Sequence, residues 1–272
     1  SNPITLNIVS SIIILFLIFN AIYRNTNYVW LAILLFINLR YFYMSLNVLR
    51  QFIAAAVIVN ALNYINKGNF IKFALMIIMA ATFHVSAILV LPAYFVRKLN
   101  ITKRNVLLFF ACAIALFFLV QGLNLYIYKL FPRFEAYQNS IYFNNGIRIA
   151  SIANFLILFF LLLVFVIAYK HVRINEKSVD VQKELTVIFY LFVIGVVFSF
   201  VSINLNLLDR FVIYFSIFSI LLIPKILELL DNKWLSNTLA LITFLVTLIY
   251  NLSILYLRPE WNHVYPYKFF WQ

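Results

Sequence analysis

Apolar runs of about 20 residues recur along this 272-residue chain, and each can cross the hydrocarbon core of a bilayer as a helix. Hydrophobic residues make up 65% of the chain and charged residues 11%, which is more apolar surface than a soluble domain of this length can bury. Backbone polar groups inside a bilayer need partners within the protein, so the spans are helices. The short alternating segments of a β-barrel are absent. The sequence therefore predicts an all-α polytopic membrane protein, with residues 1–272 as a single transmembrane domain.

Nine hydrophobic segments are predicted along the chain. The first lacks a basic start and a small-residue cleavage site, so we predict a span there and not a signal peptide. The segments lie at about 4–23, 28–44, 46–66, 69–95, 105–128, 148–169, 185–204, 208–230 and 235–257.

Several function classes are excluded by composition. The net charge of +13 comes from Lys and Arg scattered over loops, which is typical of membrane proteins and does not form one basic face for nucleic acid. The single cysteine, Cys112, excludes a disulfide framework within the chain. No nucleotide-binding glycine loop occurs, and the predicted outer carboxylates, Glu135, Asp209 and Glu260, are far apart in sequence. We therefore predict no metal ion and no other cofactor.

The orientation follows from the distribution of positive charge. Loops 96–104 and 170–184 carry four Lys or Arg residues each, so both are predicted to be cytoplasmic. Loop 129–147 lies between them, separated from each by one span, and is therefore predicted to be on the outer side. It mixes aromatic, amide and cationic side chains, which suit either a sugar or a membrane interface. Its carboxylate, Glu135, is a candidate base or a solvated loop residue.

Segment 69–95 has two interpretations. Lys67 and Lys72 favour a cytoplasmic position for loop 66–72, so 69–95 would be a re-entrant helical hairpin with His84 near its tip. The alternative is a simple crossing, which would move Arg50 to the cytoplasmic side. We favour the hairpin because it brings three charged patches to one depth.

These three patches are the candidate site, because charge beside or inside a membrane span is costly and usually functional. Arg50 follows Asn47 by one turn, so we expect them to share a helix face; the alternative for Arg50 is snorkelling to headgroups. His84 is a candidate base or a buried structural partner. Asp209 is predicted to be a helix N-cap, while Arg210 faces the same side as Tyr214, four residues later.

From about residue 40 to the end, the sequence around these charged patches resembles that of the EpsG-like branch of the Wzy-type polysaccharide polymerases. Members of that branch are usually longer at the N-terminus, so we expect early spans to be missing here. The resemblance rests on residues 49–54, which read Leu-Arg-Gln-Phe-Ile-Ala, on residues 81–88, which read Ala-Thr-Phe-His-Val-Ser-Ala-Ile, and on Leu91-Pro92, Arg210, Tyr214-Phe215 and Tyr265-Pro266-Tyr267.

The resemblance implies a metal-independent glycosyltransferase of GT-C-like architecture in the bacterial inner membrane. Its substrate would be an oligosaccharide repeat unit on undecaprenyl pyrophosphate, polymerised at the outer face into O-antigen, capsule or exopolysaccharide. A flippase and a chain-length regulator are the expected partners, besides the lipid bilayer. We predict His84, Arg50 and Arg210 as catalytic residues, and Asn47, Gln51, Glu135 and Tyr214 as substrate-binding residues.

Two other functions fit the same charges. A flippase or transporter of lipid-linked oligosaccharide also places Arg in a cavity, although no internal repeat is visible in this sequence. A membrane acyltransferase that modifies sugars also uses intramembrane His and Arg.

Overall fold

The computed structural model describes residues 3–130, 149–205 and 208–258, and these residues form helices and connecting turns without a strand. The all-α prediction is therefore confirmed for this part of the chain. The helices are α1 (Pro3–Asn25), α2 (Val29–Asn38), α3 (Tyr41–Asn47), α4 (Leu49–Asn66), α5 (Phe70–Phe83), a 3₁₀ segment (Val85–Lys98), α6 (Lys103–Leu130), α7 (Ile149–His171), a short 3₁₀ turn (Ile174–Glu176), α8 (Val179–Ser202), α9 (Asp209–Ser216), α10 (Ser219–Glu228) and α11 (Lys233–Leu257).

Among the described residues, five helical stretches are long and apolar enough to cross a membrane, which indicates a multi-pass membrane protein. The number becomes six if the bent pair α2 and α3 is counted as one span. The nine predicted hydrophobic segments are thus not all confirmed as spans. Segment 28–44 is not one helix, because the chain bends by 54° between α2 and α3. The GT-C-like architecture stays a prediction.

Side-chain caps explain where three of the helices begin. Asn69 Oδ1 accepts from the backbone N–H of Lys72 at 3.0 Å, and Asn232 Oδ1 accepts from that of Leu235 at 3.1 Å. Ser178 makes the equivalent contact at the start of α8. Each cap satisfies one N–H group that the first helical turn leaves without a partner.

The centre of the bundle is formed by α4, α8 and the consecutive helices α9 and α10. Residues 51–59 of α4 are all buried, and α8, α9 and α10 are also mostly buried. Helices α1 and α11 lie outside, and they expose apolar side chains such as Phe16 (69%) and Trp234 (76%). Outward apolar faces on peripheral helices are expected where lipid is the solvent.

Helix α5 and the 3₁₀ segment form a hairpin whose turn is His84. The ring of Tyr94 packs against those of Phe70 at 5.0 Å and Phe73 at 5.5 Å, so the end of the 3₁₀ segment lies beside the start of α5. The backbone of His84 is extended, which ends α5 and reverses the chain. The segment therefore has the shape of the predicted hairpin, and its re-entry into the bilayer stays a prediction.

Basic side chains gather at one end of the bundle. At the end that we call the basic end, Arg24, Lys67 and Lys183 line one cavity, and Arg97 lies against Gly68. The predicted cytoplasmic loops 96–104 and 170–184 both reach this end. Helix α4 runs from there to Arg50, about 25 Å away at 1.5 Å per residue. We call the end that holds Arg50 the site end.

Candidate functional site

At the site end, a triangle of polar contacts joins the hairpin turn to helix α9. His84 Nδ1 lies 2.6 Å from Ser86 Oγ and 2.8 Å from Tyr214 Oη, and the two hydroxyl oxygens are 3.0 Å apart. The extended backbone at His84 ends α5 and leaves its imidazole at the turn, next to Ser86. Tyr214 is fully buried, whereas His84 and Ser86 are half-buried. The triangle therefore fixes the imidazole ring from the protein side.

Two guanidinium groups lie within electrostatic range of this imidazole. Arg210 and Arg50 both act on His84, Arg210 from the first turn of α9 and Arg50 from the first turn of α4. Both arginines are exposed, in contrast to the buried Tyr214. The structure thus brings His84, Arg50 and Arg210 together from three separate elements, with the cations accessible to a ligand.

Gln51 fixes the relative position of the two arginine-bearing helices. Its side chain is only 6% exposed, and Nε2 donates to the backbone oxygen of Arg210 at 2.5 Å. Because Gln51 follows Arg50 directly, this bond ties the first turn of α4 to the first turn of α9. The geometry supports a positioning role for Gln51, and its predicted contact with substrate stays a prediction.

The prediction that Asn47 and Arg50 share a helix face is wrong. Asn47 ends α3, and the backbone of Val48 (φ −114°, ψ 55°) leaves the helical region before α4 begins. Ser45 Oγ donates to the carbonyl oxygen of Phe42, and Asn47 Nδ2 donates to that of Tyr43. Such side-chain bonds to preceding carbonyl groups compete with regular helix, which explains the break here.

The prediction that Asp209 caps α9 is also wrong. Leu208 precedes the helix as the cap residue, and its N–H donates to the carbonyl oxygen of Leu205 at 2.9 Å. Asp209 is therefore the first helical residue, and it accepts a 3.4 Å hydrogen bond from Ser151 Oγ of α7. Its negative charge still favours the helix N-terminus through the dipole. Arg210 and Tyr214 do share α9, four residues apart.

Sequence analysis did not identify two residues near this region. Ser86 belongs to the candidate site through its contact with His84. The available signal in the sequence was that Ser86 follows His84 by two residues at a helix break. Arg40 is only 5% exposed. It occupies the bend between α2 and α3 with a positive φ of 68°, and its guanidinium lies 5.9 Å from the ring centroid of Tyr43. Buried charge together with unusual backbone is typical of constrained positions.

Glu135 lies outside the described residues, as does loop 129–147 apart from its first two residues, which end α6. Its predicted roles stay predictions. Within residues 3–130, 149–205 and 208–258, no group of three His, Cys, Asp or Glu side chains could hold a metal ion. Metal independence likewise stays a prediction.

Comparison with known proteins adds one match. The EpsG family model matches residues 1–269, which extends the resemblance seen from about residue 40 onward to the beginning of the chain. No curated protein and no solved structure matches the chain.

Proposed function

Because the protein belongs to the EpsG family, we propose that it is a metal-independent glycosyltransferase that polymerises oligosaccharide repeat units carried on undecaprenyl pyrophosphate. Membership of the family indicates a polysaccharide polymerase-like function in a membrane. We place the reaction at the outer face of the bacterial inner membrane, with O-antigen, capsule or exopolysaccharide as the product. A flippase would supply the substrate, and a chain-length regulator would act on the product.

The reaction exchanges one bond at an anomeric carbon for another. A hydroxyl oxygen of the incoming repeat unit attacks the anomeric carbon of the growing chain and forms the new glycosidic bond. The bond from that carbon to the pyrophosphate oxygen breaks, and its electron pair leaves with the pyrophosphate. The hydroxyl proton passes to a base. The site must therefore accept one proton and stabilise negative charge that increases on the leaving group.

Arg50 and Arg210 are suited to stabilise the negative charge of the leaving group. A guanidinium is permanently charged, and its planar set of N–H donors matches phosphate oxygens. Both arginines are exposed at the site end, so a membrane-bound pyrophosphate can approach them. Positive charge that is held in place before the reaction typically lowers the activation barrier by several kcal/mol. In other glycosyltransferases a metal ion supplies this charge. These two residues would fill that role without a metal.

His84 is suited to accept the hydroxyl proton. When the Nδ1–H group donates a hydrogen bond to Ser86 or Tyr214, the other ring nitrogen, Nε2, has a free lone pair and can accept a proton from the incoming hydroxyl. Ser86 and Tyr214 lie within 3.0 Å of Nδ1, which orients the ring for this step. The observation that carries the proposal is the pair of contacts that gathers these residues at one site: Tyr214 of α9 contacts His84 at the hairpin turn, and Gln51, next to Arg50, donates to the backbone oxygen of Arg210.

The test is polymerisation by the purified protein from a defined lipid-linked repeat unit in the presence of EDTA. We expect Arg50→Ala and Arg210→Ala each to lower the rate of ladder formation by about 100-fold or more, since each removes charge stabilisation from the leaving group. Arg173→Ala is the matched control, because Arg173 is an exposed arginine outside the site, paired on the surface with Glu176.

Wild-type ladders from both site variants would refute the assignment of the two arginines. In cells, loss of a polymerase leaves single repeat units on the surface, whereas loss of a flippase leaves none. A normal chain length with a missing acyl group would instead identify an acyltransferase.

A further inference from the structure

The polar cavity at the basic end lies at the opposite end of the bundle from the candidate site. It has a volume of about 420 Å³ and lies between the last turns of α1 and α4 and the first turns of α8. Buried Ala21 and Val59 line its inner part, and half-buried asparagines of α4 line its wall. This volume is within the usual range for small-molecule sites.

The mouth of this cavity is positively charged. Arg24, Lys67 and Lys183 line it and are exposed, and two carboxylates, Asp180 and Glu184, line it as well. Glu184 forms a partly buried ion pair with Lys225, at 3.2 Å between Nζ and Oε2, which offsets its charge. Three cations therefore oppose one remaining carboxylate at the cavity. Arg97, which lies beside Gly68, adds positive charge near Lys67.

Hydrogen bonds hold part of the asparagine wall in place. Asn60 donates to the carbonyl oxygens of Leu17 and Ala56, and its Oδ1 accepts from Asn20 at 2.7 Å, so its amide is held in place. Asn66 Oδ1 is buried and has no hydrogen-bond partner among the described residues. Because this oxygen is inaccessible to solvent, it is not a contact for a ligand in the cavity, and the charged rim is the part of the cavity that can bind one.

We propose that this cavity binds a phosphate group. The rim cations would hold the phosphate oxygens. The site is distinct from the proposed polymerisation site, because the length of α4 separates Lys67 from Arg50.

Both a lipid headgroup and a soluble phosphate carry this chemistry. The helix ends at the cavity lie where headgroups are expected, and basic residues at that depth attract anionic lipids. Neighbouring α1 exposes apolar side chains, including Phe16 at 69%, along which acyl chains can pack. The experiment below separates the two sources.

The first measurement is retention of phosphatidylglycerol by the purified protein in native mass spectrometry, compared with phosphatidylcholine. The test variant is Arg24→Gln combined with Lys67→Gln. The matched control is Lys72→Gln combined with Arg173→Gln, which removes the same charge from two exposed residues that do not line the cavity. We expect the test variant to weaken retention of phosphatidylglycerol about tenfold or more, and the control to retain it. Size-exclusion profiles establish that both variants are folded.

The second measurement is thermal stability with inorganic phosphate against chloride at equal ionic strength. Stabilisation that depends on Arg24 and Lys67 identifies a soluble phosphate ligand, whereas dependence in the lipid assay alone identifies a headgroup. The proposal is overturned if the two double variants behave alike in both assays, or if phosphatidylcholine binds as tightly as phosphatidylglycerol and phosphate has no effect. Neither assay requires polymerisation, so failure here leaves the proposed function untouched.

Discussion

Tyr214 joins the central helices to the hairpin turn through a single hydroxyl group. Its ring is fully buried in α9, and its oxygen contacts both Ser86 and His84 across about 130 residues of chain. Burying a hydroxyl costs free energy unless the hydroxyl is hydrogen-bonded, and here both of its hydrogen-bonding neighbours belong to the candidate site. We therefore propose that Tyr214 is a positioning residue in the reaction, and its predicted contact with substrate stays a prediction.

Tyr214→Phe is the residue-scale prediction. We expect kcat for polymerisation to fall by about tenfold with little change in KM, because the imidazole loses one of the groups that orient it while the exposed cations stay in place. The loss of stability should be small, about 1 kcal/mol, as for one buried hydrogen bond.

The matched control is Tyr28→Phe, which removes a hydroxyl bonded to Ser236 at the basic end. Rates and thermal midpoints of both variants are measured side by side. Equal kcat for Tyr214→Phe and wild type would remove Tyr214 from the site, while equal rate losses in both variants would point to a general effect on folding.

At the scale of elements, α8 and α9 approach so closely that only glycine fits between them. A Cβ atom on Gly195 would lie 2.6 Å from the backbone nitrogen of Ser216 and 2.9 Å from the carbonyl carbon of Phe215. Backbone atoms cannot move aside as a flexible side chain can. The close contact therefore determines where α9 sits, and with it Tyr214 and Arg210.

Gly195→Ala should therefore displace α9 and disturb the site. We expect a loss of about 1–3 kcal/mol in stability, typical of overpacking, together with reduced polymerisation. Gly68→Ala is the comparison: its positive φ of 71° makes that substitution strained as well, but it lies at the basic end. Thermal midpoints should fall in both variants and activity chiefly in Gly195→Ala. Full activity in Gly195→Ala would show that α9 tolerates the shift.

At the scale of the whole molecule, the arrangement of charge predicts the orientation. The hairpin returns the chain to the basic end, so Lys72 and Lys98 should lie on the same side of the membrane, the cytoplasmic side. Ile149 begins α7 at the site end, two residues before Ser151 contacts Asp209. It should therefore face the outer side.

Single cysteines test this arrangement in a Cys112→Ser background. In right-side-out vesicles, an impermeant thiol reagent should label Ile149→Cys directly and should label Lys72→Cys and Lys98→Cys only after detergent is added. All three positions are exposed and lie within three residues of an end of their helical segment, so we expect the side of the membrane to control access. Labelling of Lys72→Cys and Lys98→Cys on opposite sides would contradict the hairpin and favour a simple crossing of 69–95.

The sequence by itself determined the class of the molecule, because the free energy of placing a helix in lipid depends on its own side chains. Apolar runs indicated a helical membrane protein, basic loops indicated its ends, and short motifs around Arg50 and His84 indicated the family, which is confirmed. Each of these is a local property of the chain.

Only the tertiary structure decided which side chains meet. Packing of α4 against α9 pairs Gln51 with the carbonyl of Arg210 across 159 residues, and packing of the hairpin beside α9 pairs His84 with Tyr214. The helix break at Val48, which separated Asn47 from Arg50, and the polar cavity at the basic end likewise depend on neighbouring elements. Contacts distant in sequence arise from close packing of several helices at once, which no local pattern records.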